Sequence, residues 1–121
     1  MANILIVDDS STMRKIISKS LRQAGLPIDE IYEACDGIDG LAVIASGKSI
    51  QLILSDIYMP NMDGIEFVRA VRDKGITTPI VMITTEAGED TLAEALSGGA
   101  SDSIKKPFTP DQLLKTLGGL I

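Results

Sequence analysis

Three short apolar runs, Ile4-Leu5-Ile6-Val7, Leu52-Ile53-Leu54-Ser55 and Ile80-Val81-Met82-Ile83, constrain this chain more than any other feature. None alternates polar with apolar side chains. Such runs read as strands buried on both faces, the mark of a parallel sheet covered by helices. Between them the apolar spacing turns helical. Met13, Ile16, Ile17, Leu21 and Ala24 recur on one expected face, after the N-cap candidates Ser10 and Ser11 and before the stops Gly25 and Pro27. Ile31-Tyr32-Glu33-Ala34-Cys35 reads as a second strand. Asp36-Gly37 then opens a helix carrying Ile38, Leu41, Ala42 and Ala45, closed by Gly47.

After the central strand, Asp63-Gly64-Ile65-Glu66 has the spacing of a capping box, and Ile65, Val68 and Val71 form the face of the helix that follows. A helix over Glu89–Ser97 carries Leu92, Ala93 and Leu96. Ser103-Ile104-Lys105 is a short fifth strand, stopped by Lys106-Pro107. Thr109-Pro110-Asp111-Gln112 supplies an N-cap, a proline at the first helical position and a capping-box glutamine to the last helix, with Leu113, Leu114 and Leu117 buried. Strand and helix thus alternate five times. This predicts one α/β domain over residues 1–121, with helices on both faces of a parallel sheet and right-handed crossovers. No residues remain for an effector domain. The pattern does not set the strand order.

Composition removes several function classes. The net charge is −6, so a nucleic-acid surface is not expected. No apolar run has spanning length and Met1-Ala2-Asn3 opens no signal peptide, which predicts a cytoplasmic protein without a membrane partner. The single cysteine, Cys35, is expected as a small core residue. There is no histidine, which excludes histidine-assisted hydrolase chemistry and histidine metal sites.

Chemistry is expected where the strands end. Asp8 and Asp9 follow the first strand and Asp56 follows the third; Met59-Pro60-Asn61-Met62-Asp63-Gly64 behind it is turn chemistry. Ligands of open α/β sheets bind at that carboxyl edge. If the first and third strands are neighbours, three carboxylates converge, repel one another and raise each other's proton affinity. A hard cation such as Mg²⁺, which takes carboxylate, carbonyl and water oxygens, relieves the repulsion. Adjacent aspartates before a helix are commonly just solvated. The added hydroxyl of Thr84 and ammonium of Lys106 at two further strand ends favour a site for an anion with several oxygens, such as a phosphoryl group. Asp56 is then the nucleophile, forming an aspartyl phosphate. A cis peptide at Lys106–Pro107 is expected to aim the lysine back over the edge.

Val7-Asp8-Asp9-Ser10, Asp56-Ile57-Tyr58-Met59-Pro60-Asn61-Met62-Asp63-Gly64, Met82-Ile83-Thr84 and Lys106-Pro107-Phe108 together resemble the receiver domain of two-component response regulators, especially its single-domain, CheY-like chemotaxis members. The resemblance spans the whole chain. It implies a flavodoxin-like (βα)5 three-layer sandwich with a five-stranded sheet of order 2-1-3-4-5. It implies that Asp56 accepts a phosphoryl group from a sensor histidine kinase, and that Asp9, Asp56 and the main-chain carbonyl of Tyr58 ligate Mg²⁺ while Asp8 acts through water. Thr84 and Lys106 would bind phosphoryl oxygens. Tyr58 and Glu86 would flank the site and tune loss of the phosphoryl group to water. The implied partners are the kinase, a phosphatase and an output target such as the flagellar motor switch, docking on the fourth helix, fifth strand and fifth helix of a monomer.

Ser103 departs from the family, which commonly has Tyr or Phe at that position. The expectation is that switching runs mainly through the loop from Thr84 to Asp90, with Gly88 as hinge. Such a chain is not a conventional enzyme but promotes its own phosphorylation and dephosphorylation. Three alternatives remain: a phosphate sink or relay carrier without an output target, an aspartyl-phosphate phosphatase of the haloacid-dehalogenase kind, and a flavodoxin-like electron carrier. The second wants Asp-x-Asp and a cap. The third wants a hydroxyl- and glycine-rich loop after the first strand, with aromatics around the flavin, and this chain has no Trp.

Overall fold

The computed structural model describes residues 2–84 and 88–121, with Glu89 through its backbone alone. The elements run β1 (Ala2–Val7), α1 (Ser11–Gln23), β2 (Ile28–Ala34), α2 (Gly37–Ala45), β3 (Leu52–Ser55), α3 (Gly64–Asp73), β4 (Ile80–Thr84), α4 (Glu89–Ser97), β5 (Asp102–Lys105) and α5 (Pro110–Leu117). The strands form one parallel sheet of order β2-β1-β3-β4-β5, the flavodoxin-like order. β1, β3 and β4 are buried throughout apart from Asn3, as their unbroken apolar runs require.

Two apolar layers flank the sheet. Ile4, Ile6, Leu52, Leu54, Val81 and Ile83 pack with Ile17 and Leu21 of α1 and Leu113 and Leu117 of α5. Alternate residues of the same strands, Leu5, Val7, Ile53, Ile80 and Met82, pack with Phe67, Val68 and Val71 of α3 and Ala95 of α4. The period of two along each strand therefore feeds two cores from one run. Asp63 and Thr109 each close a capping box, so both expected helix starts hold.

Several local expectations are corrected. Cys35 is exposed rather than in the core, because β2 stops at Ala34 and the cysteine lies in the bend before α2. β2 begins at Ile28, ahead of the expected Ile31: Pro27 does not end the pairing, since its carbonyl accepts the Ala2 N–H at 2.8 Å and Ile28 pairs with Ala2 before a register shift. β5 begins one residue early, at Asp102. Ile16, Leu96 and Leu114 face outward, as do Ala93, Ala42, Ala45 and Ile38, the last 55% exposed. In α2 the buried residues are Gly37 and Gly40. A Cβ at Gly40 would lie 2.9 Å from Phe67 and 3.2 Å from Val7, so the helix approaches through its smallest residue and the apolar ones roll aside. The expected loop path through Thr85, Glu86 and Ala87 lies outside the described residues.

Candidate functional site

The strand order puts the ends of β1 and β3 side by side, with β4 and β5 beyond. Asp8 continues β1, donating its N–H to Ala34 O at 3.0 Å, and Asp56 continues β3, donating to Val7 O at 2.9 Å. Each aspartate thus leaves its strand still tied to the neighbouring one. One carboxylate oxygen from each of Asp8, Asp9 and Asp56 lies within 4.8 Å of the others. Asp8 is buried, Asp56 half-buried and Asp9 exposed.

Lys106 enters from the end of β5. Its peptide bond to Pro107 is cis, and its N–H reaches Thr84 O at 2.8 Å. The ammonium lies 3.2 Å from Asp8 Oδ2 and 3.6 Å from Asp56 Oδ2. Burial pushes the Asp56 carboxyl above the usual range; Lys106 pulls it back, Asp8 adds to the rise, and the main-chain N–H groups of Ile57 and Tyr58 oppose it. The Ile57 N–H donates to Asp56 Oδ1 at 2.7 Å.

Thr84 ends β4 opposite Lys105 and is only 3% exposed, and among the described residues its hydroxyl is a buried side-chain oxygen with no hydrogen-bond partner. Such an orphan costs about 1–3 kcal/mol and marks a position awaiting an acceptor. Ser103 sits in β5 opposite Met82, half-buried. The Tyr58 side chain is exposed.

The arrangement has a deficit of positive charge. One ammonium faces two of three clustered carboxylates, and hard oxygen donors at this spacing suit a divalent cation. The cluster can hold a metal, and the Thr84 hydroxyl at the end of β4, without a partner among the described residues, can donate to an oxyanion bound at this edge.

Sequence reasoning missed two supporting groups. Arg14, on the first turns of α1, donates to the Asp8 carbonyl at 2.6 Å and to Glu33 Oε1 at 2.9 Å, tying α1 and β2 to the aspartate's main chain. Asp36, buried at the start of α2, accepts from Asn61 Nδ2 at 2.8 Å. In sequence Arg14 looks like any surface cation of a helix, and Asp36 like a cap. Only Asn61 carried a signal in the sequence, as a turn residue, and the structure gives it a left-handed φ of 66°.

Comparison with known proteins agrees with this geometry. The family model described as the response regulator receiver domain matches residues 4–118. The chain is 39% identical over 116 residues to a chemotaxis protein CheY homolog of Campylobacter jejuni, covering 94% of this chain and 88% of that protein. It is 37% identical over 116 residues to chemotaxis protein CheY1 of Helicobacter pylori, covering 94% and 92%. The solved structure of Vibrio cholerae chemotaxis protein CheY4 superposes with a TM-score of 0.86 at 41% identity, over 100% of this chain and 99% of that one. With its carboxylates, hydroxyl and lysine on the strand ends of a 2-1-3-4-5 sheet, the chain belongs to the response regulator receiver domain family.

Proposed function

We propose that this protein is a phosphorylation-activated switch of a two-component pathway, with Asp56 as phosphoacceptor and Mg²⁺ as cofactor. The observation that carries the reading is the Asp8–Asp9–Asp56 cluster with Lys106 between two of its members, at the edge of the sheet where β4 ends in Thr84, whose hydroxyl has no partner among the described residues. Asp56 supplies a carboxylate oxygen to the phosphorus of a phosphohistidine on the donor. The new O–P bond forms as the P–N bond breaks, and the imidazole leaves to take a proton from water. Lys106 offsets charge on one transferred oxygen, and the Thr84 hydroxyl donates to another. The Ile57 N–H holds the second carboxylate oxygen, so Asp56 is oriented before the donor arrives. Asp9, Asp56 and the Tyr58 carbonyl would hold Mg²⁺, with Asp8 in support, and the bound ion would supply neutralisation of the negative charge gathered there.

The donor histidine comes from a kinase, since this chain has none. Chemotaxis is the pathway, by similarity to relatives bearing that name. The output face is α4, β5 and α5, where Leu96 and Leu114 are exposed and Ser103, Lys105 and Lys115 line a shallow cleft. A cytoplasmic location follows from the kinase partner; no helix among the described residues is long and apolar enough to cross a membrane. The test is labelling by acetyl phosphate followed by mass-spectrometric mapping. Label on Asp56 alone, abolished by chelator and by Asp56→Asn, is expected. Label that survives either change refutes the scheme.

A further inference from the structure

The loop between β3 and α3 is fastened at both its base and its tip. At the base, Gly64 donates to Ile57 O at 2.7 Å, and Ile57 donates to Asp56 Oδ1 at 2.7 Å. At the tip, 25 residues away in sequence, the Asn61 side-chain amide donates to Asp36 Oδ2 at 2.8 Å. Asp36 is 7% exposed, and its other oxygen accepts the Asp39 N–H at 2.8 Å as the cap of α2. A second strap lies alongside: the Gly37 N–H donates to Met62 O at 3.2 Å, and a Cβ at Gly37 would lie 2.6 Å from Met62 Cγ.

Asn61 holds its position with a left-handed backbone, which asparagine tolerates better than most residues. The amide is also the largest influence on Asp36, holding its carboxyl below the usual range, so the contact is made to the charged form. Between base and tip lies Tyr58, whose N–H faces the Asp56 carboxylate. Its side chain is exposed and gives its main chain little purchase. The fastening at the tip supplies it instead.

We propose that Asp36 and Asn61 are positioning residues for the phosphoacceptor site, pinning the β3–α3 loop to α2 so that the main chain of Tyr58 is held at the acidic cluster. The inference rests on the metal-dependent phosphoacceptor reading above. Neither side chain touches the transferred group. Both act through the placement of one peptide, as outer partners of metal ligands do. The contact also makes α2 part of the site's mechanical frame, so the fastening couples occupancy of the cluster to the start of that helix.

Charge exchange tests the pairing. Asn61→Asp sets two carboxylates against each other while keeping a residue that accepts the left-handed backbone. Asp36→Asn combined with it restores one carboxylate and one amide with their roles exchanged. Mg²⁺ affinity of the full chain is measured by calorimetry, with thermal unfolding in chelator as the control. Asn61→Asp is expected to weaken Mg²⁺ binding on the order of 10-fold, the low end for an outer partner, and the double variant to recover most of it. Asn61→Gly, which keeps the backbone freedom and drops the amide, is expected to fall between.

Equal Mg²⁺ affinity in wild type and Asn61→Asp overturns the proposal. So does a loss that the double variant leaves unrescued, or one that follows melting temperature alone across the set. If wild type itself binds no Mg²⁺ and takes no label from acetyl phosphate, the phosphoacceptor reading has failed, and the latch with it. If wild type does both and the variants match it, the latch alone is refuted.

Discussion

Replacing Lys106 with methionine removes the one ammonium from the carboxylate cluster while keeping an unbranched apolar stem. The ammonium lies 3.2 Å from one carboxylate and 3.6 Å from another, on a side chain 8% exposed. At an effective dielectric of 20 each contact carries on the order of 5 kcal/mol of gross attraction. Desolvation of the three groups cancels most of it, but removing one partner leaves the others buried and unpaired, at a cost of about 3–5 kcal/mol. Against a total of about 5–15 kcal/mol for a domain, the variant stays folded with a much lower urea midpoint.

The loss depends on solution conditions. Without Lys106 the influences raising the Asp56 carboxyl, burial first and then Asp8, act with less opposition. A carboxyl raised in the folded state contributes stability that is full below its unfolded value and is lost as pH rises through its folded value. The variant therefore regains stability on mild acidification. Mg²⁺ restores it at neutral pH, by about 2.7 kcal/mol at a hundred times its dissociation constant, and does so more strongly than in wild type because no ammonium competes for the oxygens. Urea unfolding followed by circular dichroism, in chelator and across a Mg²⁺ series, measures all three effects. An unchanged midpoint in chelator, or a Mg²⁺ gain equal to that of wild type, refutes the reasoning.

Thr84→Val replaces a buried hydroxyl that has no described partner with a methyl of the same size; it is expected to stabilise the fold by about 1 kcal/mol and to weaken beryllofluoride binding, read by a melt and a titration of the same sample. Asp56→Asn is expected to raise the melting temperature at neutral pH in chelator and to lose that advantage as pH falls through the raised Asp56 value, because protonation then relieves the wild type too. Gly64→Ala places a Cβ on the Asp56 carbonyl and 2.8 Å from Ile57 Cα, both backbone; a loss of about 3 kcal/mol or more is expected in denaturant unfolding.

The reacting groups were legible because each stands where a pattern stops. Asp8, Asp56 and Thr84 interrupt apolar runs, and a charge or hydroxyl at the end of a doubly buried strand has few other reasons to be there. Caps were legible for the same local reason, as Asp63 with Glu66 and Thr109 with Gln112 show. Helix faces were less so. Periodicity weighs large apolar residues, whereas α2 makes its closest approaches through Gly37 and Gly40, and α4 buries Ala95 while Leu96 turns outward. The supports of the site were hidden altogether. Arg14 acts on a main-chain carbonyl, and Asp36 meets Asn61 across 25 residues, so neither contact leaves a trace in spacing. Only the sheet order, which the pattern left open, brings them into reach.

The two outer strands protect themselves differently. β5 has four residues, too few to template a partner strand. β2 has seven, with Asp29, Glu30 and Glu33 exposed along it. A second chain adding to that edge would have to lay its backbone beside the charges of Asp29 and Glu30, with Glu33 already paired to Arg14. A copy of this protein would bring the same charges with it. Like charges facing one another across such a junction disfavour edge-to-edge stacking of two copies. Recognition is also pushed away from strand addition, leaving the helical faces and the loops at the carboxyl edge to meet other proteins.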